Sequence, residues 1–155
     1  MKSKKKIIAV KKKHTKKSLI LTTKKRKIHY ISKIHIGKEH DYSILKKEFP
    51  PDKKWFKGKE VRIDLGFQGF QNLYDTKKTY LPFKKKRVAK GEDNSLTPQQ
   101  IKINKEQAQE RIYVEHSIGG MKRFNILHNQ IRIKSDNKIN AIIGICAGLW
   151  NFLIH

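Results

Sequence analysis

The chain is 155 residues long, which suits one domain of ordinary size. It carries 37 Lys and Arg against 13 Asp and Glu, a formal net charge of +24 that goes far beyond what solubility asks. That charge points to a polyanionic partner, nucleic acid first, and away from enzymes of small neutral molecules. The single cysteine, Cys146, excludes a disulfide framework or a CxxC zinc site within the chain.

Residues 1–38 hold 15 Lys and Arg and no Asp or Glu. Strand patterns interleave with this run. Ser18 to Thr23 is β-prone, and residues 28–36 alternate with period two, a half-buried strand. Thr23 to Lys27 is the expected hairpin turn, without the Gly or Asn such turns prefer. After Gly37, Asp41 is read as the cap of a helix from Tyr42 to Phe49, stopped by Pro50-Pro51. An alternating strand follows at Val61 to Phe67, then a weak strand at Thr79 to Phe83. The polar, basic stretch 84–100 reads as a surface loop.

Thr97-Pro98 is a helix start, with Pro at the first helical position. Helix formers fill Asn104 to Leu127, and Val114, Ile118, Met121 and Phe124 recur at helical spacing. Gly119-Gly120 is a flaw in that helix, costing about 1 kcal/mol per residue. A last, buried helix is expected over Ile139 to Ile154. It is too short for a membrane span, and Asn140 and Asn151 interrupt it. The charges sit mostly on strands and loops, which disfavours a membrane-surface protein. No apolar stretch of signal-peptide type follows the basic N-terminus, so a reducing, cytoplasmic, nucleoid-associated setting is expected. Strands first and long helices last predict an α/β or α+β chain, a sheet with helices packed on it.

With so few acids, each can be weighed. Most lie in polar or loop contexts. Asp64 is the one acid inside an apolar alternation, at the carboxyl end of a strand, where ligands of α/β sheets gather. Glu115 lies on the long helix. Arg111, Glu115 and Lys122 fall within roughly 40° of one another around it, a single stripe beside the apolar face. An ordinary ion-paired helix surface would give the same pattern. His40-Asp41 reads either as a metal-ligand pair or as a helix cap. Two carboxylates on different elements of a strongly basic chain suit metal-assisted phosphodiester chemistry, in which carboxylate oxygens hold Mg²⁺.

These residues carry a family resemblance. Asp64-Leu65-Gly66-Phe67-Gln68-Gly69 is similar to the D-x-G-[YF]-x-G segment of DDE transposases, in the bacterial insertion-sequence group related to Harbinger-type nucleases. The run from Arg111 to Phe124, with Val114-Glu115-His116, Ile118-Gly119 and Lys122-Arg123-Phe124, resembles that group's R-x-x-VEH-x-IG-x-x-KRF segment. Asn104, Lys13-His14-Thr15 and Gly37 to Tyr42 fit in order and spacing. In relatives with a Tyr, Arg, Glu, Lys signature, the Tyr position is Ala108 here.

The resemblance implies an RNase H-like mixed sheet flanked by helices. It implies a DDE endonuclease domain spanning 1–155 that acts on transposon ends with Mg²⁺ or Mn²⁺. Asp64 and Glu115 would be the second and third catalytic acids and metal ligands. Arg111, Lys122 and Arg123 would hold DNA phosphates, and His40 and Asp41 would be accessory. The family's first acid has no counterpart upstream of Glu39, so the first strand is expected to be missing and the chain to be a transposase fragment, inactive alone. Its partners would be DNA and either an upstream transposase fragment or a further copy. The alternative is a basic, ribosomal-like, non-catalytic nucleic-acid-binding protein, against which the Asp64 and Arg111–Lys122 blocks count.

Overall fold

Isoleucines, Leu21 and Thr22 make a hairpin the first structure among the described residues. The computed structural model describes residues 16–85, 95–129 and 131–154. The Lys13-His14-Thr15 block and the Gly91 to Asn94 part of the expected loop lie outside them. Strands β1 (Lys16–Lys17) and β2 (Ile20–Thr22) run antiparallel to β4 (His35–Ile36) and β3 (Ile28–Ile31).

The pairing register slips twice, from Lys16↔Ile36 to Ile20↔Ile31 to Thr22↔Ile28. At the first slip the Leu19 N–H donates to buried Ser32 Oγ at 2.8 Å, and the Ser32 N–H donates to the Leu19 carbonyl at 2.9 Å. The single strand expected over 28–36 is therefore two strands, broken where the Ser32 side chain replaces a backbone partner. A one-residue slip reverses which face a side chain takes. Accordingly Ile20, Ile28 and Ile31 enter one core, and Leu19, Leu21 and Tyr30 enter another.

The turn closes with Arg26 N–H donating to the Thr23 carbonyl at 2.8 Å and Thr23 N–H donating to the Lys27 carbonyl at 3.0 Å. Arg26 takes the left-handed conformation, φ 64°, which supplies what the absent glycine would have given. Its carbonyl accepts the Trp150 indole N–H at 3.0 Å and lies 2.9 Å from the Ser117 hydroxyl.

Helix α1 spans Asp41–Glu48. Its cap is His40, not Asp41 as expected: His40 Nδ1 accepts the Tyr42 N–H at 3.3 Å, which leaves the Asp41 carboxylate free of the backbone. Strand β5 is only Glu60–Arg62, shorter than the expected Val61 to Phe67, because Asp64 turns the chain into a single 3₁₀ turn, Leu65–Phe67, by accepting the Leu65 N–H at 2.7 Å. Helix α2 (Phe70–Leu73) leads to β6 (Lys78–Tyr80), which pairs parallel with β5. Strand β6 stops short of Phe83, whose backbone N–H and carbonyl are both bound by the Asn104 side chain, at 2.8 and 3.0 Å.

Helix α3 runs from Pro98 to Lys122, starting where Thr97-Pro98 announces it and ending before the expected Leu127. A capping box between Thr97 and Gln100 opens it, and a separate short helix α4 (Asn125–His128) follows. Helix α5 spans Asp136–Leu153. Two of its three asparagines, Asn140 and Asn151, are hairpin ligands. Asn140 accepts the Ile34 N–H at 2.9 Å, and Asn151 binds both the N–H and the carbonyl of Ile28 at 2.8 Å.

The described strands form three two-stranded ladders rather than one continuous mixed sheet. The architecture is nonetheless mixed α/β, with helices on both sides of the hairpin. One core joins Ile28 to Met121, Cys146, Ala147 and Trp150 of α3 and α5. The other joins Leu45, Phe49, Phe56, Phe70 and Tyr74 beneath the opposite face. The expectation that the last helix is buried holds for one side only: Ile139, Cys146, Ala147 and Trp150 are buried, while Ile145, Leu149, Phe152 and Leu153 are exposed. Among the described residues no helix is long and apolar enough to cross a membrane.

Gly120 has a packing reason. A Cβ there would stand 2.3 Å from Trp150 Cε3, whereas at Gly119 it would meet nothing within 4 Å. The ring is buried and hydrogen-bonded, so it cannot yield cheaply. Gly120→Ala should therefore lower unfolding free energy by about 1–3 kcal/mol. Gly119→Ala should raise it by up to about 1 kcal/mol. Urea unfolding followed by tryptophan fluorescence separates the two.

Candidate active site

Asp64 stands two residues beyond β5, its side chain exposed. Besides capping the 3₁₀ turn, its Oδ1 pairs with Arg111 Nη1 at 3.0 Å. That contact fixes the turn against α3. Glu115 lies one helical turn beyond Arg111, a rise of about 6 Å. It is exposed and makes no ion pair among the described residues. Lys122 and Arg123, at the end of α3, are exposed and likewise unpaired among the described residues.

Asp41 comes to the same region from the other side. Its Oδ1 pairs with Lys17 Nζ at 2.7 Å, and its Oδ2 lies 3.9 Å from where a Cβ on Gly66 would stand. Asp41 thus abuts the turn that carries Asp64. A cleft of about 320 Å³ opens here, lined by Lys17, Asp41, Phe67, Val114 and Ile118 among others. It draws together β1, the start of α1, the 3₁₀ turn and α3. Ser18 also lines it, with a buried Oγ that has no hydrogen-bond partner among the described residues. His40 is spent as the helix cap.

The residues do not form a metal cage. Among the described residues no three His, Cys, Asp or Glu side chains stand together closely enough to hold a cation. The donors are of the right chemistry for Mg²⁺, since carboxylate oxygens are hard ligands. Asp41 and Asp64, however, are each engaged by a basic side chain. The arrangement holds cations at fixed positions beside acids, which suits the recognition of phosphate by the guanidinium fork of Arg111 and the ammonium of Lys17.

Sequence reading passed over the residues that support this face. Glu110 binds Lys24 at 2.9 Å and also Arg62, and Arg62 lies over the Tyr80 ring at 4.1 Å. The only signal for Lys17 and Lys24 was membership of an acid-free run, which does not single out one lysine. A second, larger concavity of about 670 Å³ lies at the hairpin turn, lined by Thr23, Lys24, Lys25, Lys27, His29 and Ile154. Its wall carries three lysines and no carboxylate, which suits phosphate contact.

The hydrogen bond from Lys24 and the charge of Arg62 hold the Glu110 carboxyl below its usual value near 4.5. A carboxyl depressed on folding adds stability above its unfolded pKa, and that contribution is lost as pH falls through the folded value. Unfolding free energy should thus fall as pH drops below about 4.5. Glu110→Gln should be less stable than the native chain at pH 7 and show a shallower acid decline in urea titrations from pH 6 to 3.

A model of the DDE superfamily endonucleases matches residues 6–151. A probable transposase for insertion sequence element IS702, from Microchaete diplosiphon, is 30% identical over 116 residues. The match takes in 75% of this chain and 38% of that protein, so the chain spans about two fifths of the relative's length. No solved structure matches significantly. The match across almost the whole sequence shows that the chain belongs to the DDE superfamily of endonucleases.

Proposed function

We propose that this chain serves as the acid-bearing, DNA-binding portion of an insertion-sequence transposase, built on an RNase H-like plan, and that it does not cleave DNA by itself. The observation that carries the reading is the Asp64–Arg111 pair at 3.0 Å, which joins the two motif-bearing segments. Asp64 and Glu115 are the second and third family acids. Arg111, Lys122 and Arg123 hold the phosphates of a transposon end, and Lys17 and Asp41 lie on the opposite wall. The helices on both faces of the hairpin fit the RNase H-like plan. Arg111 and Lys122 share one helical stripe about 16 Å long, so they can contact phosphates a few nucleotides apart on a strand lying along α3.

The absence of cleavage follows from the acid inventory. Mg²⁺ or Mn²⁺ is expected from the family, but the described residues give it no three-ligand site. Residues 1–38 hold no Asp or Glu to complete one. A carboxylate from outside these residues would have to supply the missing ligand.

DNA binding should be strongly salt-dependent, with affinity falling on the order of 10²–10⁴ from 50 to 200 mM salt as phosphate counterions are released. Arg111→Ala with Lys122→Ala should lower the log–log salt slope by roughly 2. Binding that ignores salt would contradict the reading. In a nicking assay on transposon-end DNA with Mn²⁺, the chain alone should give no product. Cleavage that both Asp64→Asn and Glu115→Gln abolish would overturn the claim of inactivity and make Asp41 the first suspect as third ligand.

A further inference from the structure

We infer that the outer face of α5 is the contact between two copies of this chain, packed helix against helix and antiparallel. The face is formed by Ala141, Gly144, Ile145, Gly148, Leu149 and Phe152, all exposed, with Ile145 62% and Phe152 79% accessible. At 100° per residue these six positions fall on one side of the helix, opposite Ile139, Ala147 and Trp150 in the core. Large apolar side chains gathered on one helix face exceed the scattered exposure normal for a monomer.

The glycines are the second observation. A Cβ on Gly144 or on Gly148 would meet nothing within 4 Å among the described residues, so neither has a packing reason there, unlike Gly120 beneath Trp150. Each costs the helix about 1 kcal/mol relative to Ala. Glycines four apart, flanked by Ile145, Leu149 and Phe152, make a shallow hollow where another backbone can approach closely.

The occupant is a second copy because knob and hollow share one face. In an antiparallel pair centred on Gly148, Phe152 of each helix lies over Gly144 of the other, the reciprocal pairing a two-fold interface requires. Charge points the same way. No Lys, Arg, Asp or Glu occurs between residues 139 and 154, in a chain of net charge +24. Two such chains repel least where neither presents a basic side chain, and this face offers a phosphate no cation. Antiparallel helix dipoles also attract. One helix about 27 Å long gives a contact at the small end of specific interfaces. We expect a Kd on the order of 10 µM, typical of a weak self-association.

The test is sedimentation equilibrium of the full chain up to about 100 µM, in 0.3 M salt to screen the net charge. The expected species has twice the 18.3 kDa chain mass. Phe152→Glu and Gly148→Leu should each weaken association at least tenfold while circular dichroism and tryptophan fluorescence stay native, since both positions are exposed. Gly148→Cys should form disulfide-linked dimers under mild oxidation, with the native chain and its buried Cys146 as control. Ala141→Cys should not, because its two copies would lie about 21 Å apart along the axis. A monomer at 100 µM, association untouched by both substitutions, or equal cross-linking at 141 and 148 would each overturn the proposal. DNA binding by the same samples is read separately, so this result does not depend on the transposase reading.

Discussion

The carbonyl of Arg26 is where strands and helices are tied together. It accepts the Trp150 indole from α5 and lies within reach of the Ser117 hydroxyl from α3, residues separated from it by about 90 and 120 positions in sequence. Arg26 can present that carbonyl because it sits in the left-handed conformation at the hairpin turn. Asn151, one residue beyond Trp150, then binds both backbone groups of Ile28, as a neighbouring strand would. The hairpin is thereby held between two apolar cores, and α3 is set at a fixed distance from it. The cleft exists because of that spacing: its walls are the hairpin, the start of α1 and α3.

Within this frame the acids are held by short, specific links. Asp64 has two tasks, ending β5 by capping the 3₁₀ turn and docking that turn on Arg111. Asp41 is released from the capping role because His40 takes it, so its carboxylate can face Lys17 and the Gly66 backbone. These pairs are exposed and each contributes at most about 1 kcal/mol to stability. Their value is positional. They can be exchanged for phosphate contacts at little cost, which suits the DNA contact proposed for this surface.

Local patterns were readable in the residues themselves. Thr97-Pro98 announces α3, the period-two isoleucines announce the hairpin, and Asp64 stands out as an acid within an apolar alternation. The motif blocks also brought Asp64 and the Arg111–Lys122 stripe forward as a joint site. What stayed hidden depends on contacts distant in sequence. Asn140 and Asn151 look like interruptions of an apolar run until Ile34 and Ile28 are set beside them. Gly120 looks like a helix flaw until Trp150 lies against it. The breaks in the expected strands come from side chains that replace backbone partners, Ser32 in one case and Asp64 in the other, and no periodicity rule registers that substitution.

Asp41 at the cleft and Asp64 on the adjoining turn are each held by a basic side chain, and among the described residues no three acids, histidines or cysteines gather to hold a metal. The most direct measurement is titration of the purified chain with Mn²⁺ followed by electron paramagnetic resonance of the free ion. The account predicts no stoichiometric tight site, only weak uptake that Asp64→Asn and Glu115→Gln hardly change. One Mn²⁺ bound per chain with a Kd on the order of 10 µM or tighter, lost in Asp64→Asn, would contradict it.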